Sequence, residues 1–354
     1  MDNFAGNNML WIAIVVTAFT SAITLVLIAL IWLFRWLFNA EQLSYSQFSK
    51  EWFPILACVI VGDQAPVAKK LNRSEKLILL RLWNYWHQSV SGNANIRLKQ
   101  FVNDMGCTDV AIHMVQKGNR AQKLLSSISL GNLKVASAWQ DLKALVATDD
   151  QIVSLHAARA MLQVDAEKAI KELLPMILGR AQWDMSVLTQ ILQQSRVQFE
   201  FEVIDSWADL SRAQQVRALK LCANLSLPLT HDLVHQLLQA DQHTDIVLVT
   251  LQLLERLQNP VYRQPLLQLF DHASASVRAQ AVKTHGAIAD VSDIETLVDM
   301  LHDSDAATRY FAAFTLVKPT SLGLQRLTLL KDELEDARAY EAVAAMCTQY
   351  GAAA

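Results

Sequence analysis

The sequence predicts an all-α fold, an α-solenoid of helical hairpins preceded by one transmembrane helix, and three observations carry that prediction. Met9 to Phe34 runs for about 26 residues without a charge, more than the roughly 20 that cross the hydrocarbon core of a bilayer. Downstream, helix starts recur near Asn119, Asp150, Gln182, Ser211, Thr244, Ser274, Asp305 and Asp336, at a step of about 31 residues, which is the spacing of stacked repeats. No alternation of Val, Ile or Tyr persists long enough to suggest a strand.

Composition fits one span plus a helical body. The chain is 52% hydrophobic with a mean hydropathy of +0.19, too apolar for an ordinary soluble protein, while 18% charged residues is too many for a polytopic one. A net charge of −3 lacks the basic excess that a nucleic-acid face requires, so no nucleic-acid partner is expected. Cys58, Cys107, Cys222 and Cys347 are far apart, in apolar helical contexts, with no C-x-x-C spacing. They read as reduced thiols and point to a cytoplasmic body.

Taken in order, residues 1–8 form a short polar terminus and 9–37 the transmembrane helix. Trp11 stands near one end of the apolar run and Trp32, Arg35 and Trp36 near the other, which puts aromatics at both interfaces. The start lacks a basic residue and the exit lacks an A-x-A-like site, so a cleaved signal peptide is disfavoured. Lys and Arg occur only on the C-terminal side, as Arg35 and Lys50, followed by Lys69, Lys70, Arg73 and Lys76. That asymmetry places the N-terminus outside and the body in the cytoplasm. The basic residues from Lys69 to Arg81 read as a solvated helix face, with contact to anionic lipid as the alternative.

Residues 38–73 read as a juxtamembrane segment and linker. Trp52 to Val61 is an apolar run interrupted by Pro54, too short to span, and either interfacial or a docking surface for a membrane partner. Gly62 to Pro66 reads as the linker proper. The repeat body is expected over 74–354, opening with a capping helix that starts at Ser74 and carries Leu77, Leu80, Trp83 and Trp86. Helices over 97–105 and 109–116 follow.

The clearest repeats lie between Asp271 and Val317. Val277-Arg278-Ala279-Gln280-Ala281-Val282 precedes Thr308-Arg309-Tyr310-Phe311-Ala312-Ala313 by about 31 residues, with Ile294, Leu297, Val298 and Leu301 forming an apolar stripe between them. Asp271, Val277, Arg278 and Ala281, and again Asp303, Arg309, Ala312 and Ala313, resemble the HEAT repeat in the short form named after the phycobilisome lyases. The resemblance implies structural roles for these residues. Small side chains let helices approach, and each Arg reaches a carboxylate or helix C-terminus in the next repeat.

Little of the remaining chemistry stands up. His231 and His235 sit one helical turn apart in H-D-L-V-H, a spacing able to hold a metal, with Asp241 or His243 as a third ligand. Thr230 as N-cap and Asp232 as a first-turn acid explain the same letters without an ion, so no metal or other cofactor is expected. None of the nine histidines precedes Glu, whereas HEAT-like metal-dependent hydroxylases carry repeated His-Glu pairs. His285 replaces a core aliphatic residue and reads as a partly buried structural group. Glycines never approach within about twelve residues, which removes phosphate-binding loops and nucleophile elbows.

The expectation is therefore a non-catalytic, membrane-tethered interaction scaffold. Trp52, Trp83, Trp86 and Trp139 are the candidate interface residues, since Trp is favoured at binding hot spots, although most tryptophans should be core. In layout the chain resembles single-pass bacterial HEAT proteins encoded beside membrane glycosyltransferases for secreted polysaccharide. That resemblance implies an inner-membrane location and such an enzyme as protein partner. The alternative is a HEAT-like metal-dependent or phycobilin-lyase-type enzyme.

Overall fold

The computed structural model describes residues 2–63, 69–239, 242–317 and 323–351, and among them every regular element is a helix. The chain divides into two compact units, Met1–Leu145 and Val146–Ala354.

The first unit begins with α1 (Asp2–Val61), a single helix of 60 residues. Its segment Val15–Leu33 is long and apolar enough to cross a membrane, and none of it is buried in the protein. The helix does not stop at residue 37 or at Pro54. Pro54 forfeits one backbone hydrogen bond, but Phe48, Trp52, Leu56 and Val59 recur on one face and are all buried. That stripe packs on the helices that follow, α2 (Arg73–His87) and α3 (Gly92–Asp104), so tertiary burial holds the last turns helical. The expected juxtamembrane segment is thus part of α1, with one face buried from Phe48 to Val59, and of the expected linker the residues 64–68 lie outside the described ones. At Val61 the chain turns through Gly62 at φ +94°, and Arg97 of α3 donates to the terminal carbonyls of Val59 (3.0 Å) and Ile60. These carbonyls have no helical N–H of their own to meet.

The N-cap of α2 is Asn72, not Ser74. Asn72 accepts from the Glu75 N–H at 2.9 Å while the Glu75 carboxylate accepts from the Asn72 N–H at 2.8 Å, a reciprocal capping box that places Ser74 inside the first turn. Then come α4 (Cys107–Lys117), α5 (Arg120–Leu133), whose Asn119 and Gln122 form a second capping box, and α6 (Trp139–Val146). Buried Asn84 of α2 joins α5 through Ser129 at 2.8 Å and Asn132 at 3.0 Å. A buried amide without such partners would be costly.

The second unit contains α7 (Gln151–Val164), α8 (Ala166–Gly179), α9 (Met185–Leu192), α10 (Arg196–Asp205), α11 (Arg212–Leu225), α12 (His231–Leu237), α13 (Thr244–Leu257), α14 (Arg263–Leu267), α15 (Ala275–His285), α16 (Ile294–Asp299), α17 (Ala306–Val317), α18 (Gly323–Glu333) and α19 (Ala337–Gly351). Starts fall at or next to the predicted positions because Asp150, Ser211, Ser274, Asp305 and Asp336 stand at the helix entrances. The exception is Gln182. There the cap is Asp184, which accepts from the N–H groups of Ser186 and Val187, and α9 begins at Met185.

From α9 onward the second helix of each hairpin packs on the second helix of the next, in the succession α9, α11, α13, α15, α17 and α19. The contact faces are small or β-branched: Val277, Ala281, Ala312 and Ala313 are wholly buried. Gly286, just past α15, shows how close the approach is, since a Cβ there would lie 2.3 Å from Oγ1 of buried Thr315. The shorter first helices α12, α14 and α16 contribute Leu233, Leu266 and Leu297 to the same core.

Candidate interaction surfaces

In the second unit arginines join successive layers, and they do so at helix ends. Arg180 donates to the carbonyls of Val146 (2.8 Å) and Thr148 (3.3 Å) and to Ser154 Oγ (2.7 Å). Arg217 donates to Ile177 O (2.9 Å) and Trp183 O (2.7 Å), and burial lowers its pKa from the ordinary value. Arg278 forks onto Asp303, Nε to Oδ2 at 2.7 Å and Nη2 to Oδ1 at 2.9 Å, while Nη1 reaches His272 O at 2.9 Å. A planar fork matched to a carboxylate and a free carbonyl cannot be copied by Lys. Arg309 instead turns back onto the Asp303 and Ser304 carbonyls (2.8 and 2.9 Å) at the entrance of its own helix.

The proposed histidine pair is not drawn together as a ligand set. His231 and His235 are exposed on α12 with ring centroids 6.4 Å apart, and His231 stacks on Tyr262 at 5.7 Å. His243 is the N-cap of α13, and Asp241 lies outside the described residues. Among the described residues no group of three or more His, Cys, Asp or Glu side chains is placed to hold an ion.

His285 is more deeply enclosed than the sequence suggested, with no exposed surface. Its Nε2 lies 3.1 Å from Oδ2 of buried Asp293, off-line for a good hydrogen bond, and Nδ1 meets no partner among the described residues. Burial holds the imidazole below its ordinary pKa, against the pull of the Asp293 carboxylate. Arg263 closes the group by donating to Asp293 Oδ1 (2.7 Å) and Asp290 Oδ2 (2.8 Å). Arg263 thus ties two carboxylates together beside a buried imidazole, between α14, α15 and the turn before α16, an arrangement that holds the hairpin. Burial likewise pushes the thiols of Cys107 and Cys222 up to about 12, so neither presents a thiolate near neutrality.

Three of the four candidate interface tryptophans are corrected to core. Trp52, Trp83 and Trp139 are 2%, 0% and 5% exposed, and a ring with so little surface cannot meet a partner. Trp52 stacks on Phe48 at 5.2 Å and leans on Phe101 of α3 at 6.4 Å. Of the four, Trp86 alone reaches the surface, and only in part. One residue beyond Trp52, and so about 100° round the helix, Phe53 points outward and is 53% exposed. Its ring meets Trp86 edge-on at 4.9 Å, and Trp86 meets exposed Tyr85 at 6.3 Å. Phe53, Tyr85 and Trp86 form an aromatic surface that the sequence only partly revealed.

The second unit has a surface of a different kind. Across α9, α11, α13 and α15 runs a groove of about 610 Å³ lined by Met185, Lys220, Asn224, Gln252, Arg256 and Lys283 among others. Beyond it, α17 presents Tyr310 stacked on Phe314 at 6.4 Å, and Lys283 Nζ lies 5.8 Å over the ring of Phe311.

A search of the curated proteins gave no match. Among solved structures, the chain is similar to a chain of the complex of CpcE and CpcF of phycocyanin lyase from Nostoc sp. PCC7120. The two are 16% identical, the match covers 68% of this chain and 94% of that chain, and the TM-score is 0.26. The family model described as HEAT repeats matches residues 231–317, the stretch from α12 to α17, so this part of the chain is similar to a HEAT-like helical repeat.

Proposed function

We propose that this protein is a non-catalytic interaction scaffold tethered to an inner membrane, an accessory subunit that holds a protein partner at the cytoplasmic face. A polysaccharide-synthesising glycosyltransferase is the first candidate for that partner, on the resemblance in layout. The observation that carries the reading is α1 itself: one helix bears both the apolar segment Val15–Leu33 and the buried stripe Phe48, Trp52, Leu56 and Val59. Tether and first unit share an element, so whatever the first unit holds is held at a defined height. From Leu33 to Phe53 the helix rises about 30 Å, which carries the Phe53, Tyr85 and Trp86 surface clear of the headgroup region and favours a partner's protein domain over lipid. Arg35 and Lys50, together with buried thiols at Cys107 and Cys222, support a cytoplasmic body. The enzyme alternative has less support, since His231 is engaged with Tyr262 rather than with a converging ligand set.

The tether is tested by deleting residues 1–40. The shortened chain keeps the buried end of α1, so it is expected to be soluble with undiminished helicity, while the full chain resists alkaline extraction from membranes. Reporter domains fused after Gly62 are expected to be active only if they work in the cytoplasm. Periplasmic reporter activity there, or full-length chain released by alkali, would overturn the proposal.

A further inference from the structure

We propose that the groove across α11, α13 and α15 binds an extended acidic segment of a partner protein, with carboxylates three residues apart. This rests on the scaffold reading and names the chemistry of what that scaffold holds. Each of the three helices contributes a cation to the same groove: Lys220 from α11, Arg256 from α13 and Lys283 from α15. Lys220 and Arg256 are exposed, and among the described residues neither is in an ion pair. The acid that lines the groove, Glu255, is already engaged, taking Lys283 Nζ at 3.0 Å on one oxygen and Gln280 Nε2 at 2.8 Å on the other. The groove therefore carries a net positive charge facing solvent.

Spacing then selects the ligand. Packed helices lie about 8–10 Å apart, and a chain in the polyproline II conformation advances about 3.1 Å per residue with three residues per turn, so its positions i, i+3 and i+6 share one face. A segment in that conformation crossing the three helices meets a new cation about every third residue, so acids at positions i and i+3 face the unpaired Lys220 and Arg256, and one at i+6 meets Lys283, which it shares with Glu255. The carboxamides of Asn224, Gln252 and Gln280 line the same groove, the last with its Nε2 on Glu255. A carboxamide both donates and accepts, as does each unpaired peptide group of a polyproline II segment, whereas a polyphosphate offers only acceptors to such a row. Main-chain pairing plus charge in register is the recognition that this lining supplies.

The test uses the full-length protein in detergent micelles and fluorescent peptides of roughly twelve residues, read by anisotropy. One peptide carries Glu at its first, fourth and seventh positions, an isomer carries the three Glu in succession, and a third has Gln in place of Glu. The spaced peptide is expected to bind at least tenfold tighter than its isomer and the Gln peptide not at all. Its affinity should fall as salt is raised. Joint Lys220→Glu and Arg256→Glu replacement, both at exposed positions and checked for unchanged melting, is expected to weaken binding at least tenfold. Equal binding of the two isomers, binding indifferent to the charge reversal, or no binding of the spaced peptide would overturn the proposal. If the same charge-reversed chain still captured its partner from membranes, the groove assignment alone would fail and the scaffold reading would stand.

Discussion

Trp83→Ala is expected to destabilise the first unit by about 3–5 kcal/mol, the range for truncating a fully buried Trp. Trp83 has no exposed surface, and its ring stacks on His87 at 5.0 Å. The loss is a large fraction of the roughly 5–15 kcal/mol that a domain commands, so melting followed by circular dichroism should show an early transition. Trp83→Phe should cost much less. The indole N–H is buried without a partner among the described residues, and the phenyl ring removes that unpaired donor while keeping most of the packing. A Trp83→Ala chain that melts normally but loses a binding partner would make Trp83 a contact residue.

Arg278→Ala is expected to lower the stability of the second unit by about 3 kcal/mol, because it strands a largely buried carboxylate. The partners left to Asp303 are the N–H of Asp305 at 2.7 Å and the hydroxyl of Ser304, too little to replace a two-pronged guanidinium. Arg309→Ala should cost nearer 1 kcal/mol, since its bonds are to two carbonyls at the rim of its own helix. A double-mutant cycle with Asp303→Ala isolates the pair. The Arg278 guanidinium holds the Asp303 carboxyl below its ordinary pKa. The pair's contribution is therefore complete above the unfolded carboxylate value of about 4 and fades as the pH falls below it. Equal losses for Arg278→Ala and Arg309→Ala would contradict the different roles the geometry gives them.

Much of the architecture was legible because caps and period are local. Asn119, Ser211 and Asp305 announce helix starts by side-chain chemistry that acts over three residues, and the step of about 31 follows from them. Where two capping residues compete, the sequence misleads. Asn72 prevails over Ser74 because only Asn72 has Glu75 at the third helical position, and Asp184 prevails over the predicted start at Gln182 because its carboxylate reaches two N–H groups. The tryptophans failed for another reason. Trp52 to Val61 is apolar on every side, so it has no hydrophobic phase, and nothing in the letters says that Trp52 faces α3 while Phe53 faces out. The groove was beyond reach for a third reason: Lys220, Arg256 and Lys283 are about 30 residues apart and share a surface only after three hairpins stack. Arg278 was readable as a residue that joins repeats, but its partner Asp303 was readable only as part of the repeat motif.

The most direct measurement is co-purification of a membrane partner with the full-length chain from detergent-solubilised membranes, beside a chain carrying Phe53→Ala, Tyr85→Ala and Trp86→Ala. These rings are at least partly exposed, so the substituted chain should remain folded and membrane-bound, and melting and alkaline extraction confirm that before capture is compared. A partner recovered in stoichiometric amount with the native chain, and reduced at least tenfold with the substituted one, is the predicted result, because aromatic anchors dominate interface energetics. Undiminished recovery on the substituted chain, or a native chain that brings down no protein in stoichiometric amount, would contradict a scaffold that docks its partner beside the membrane.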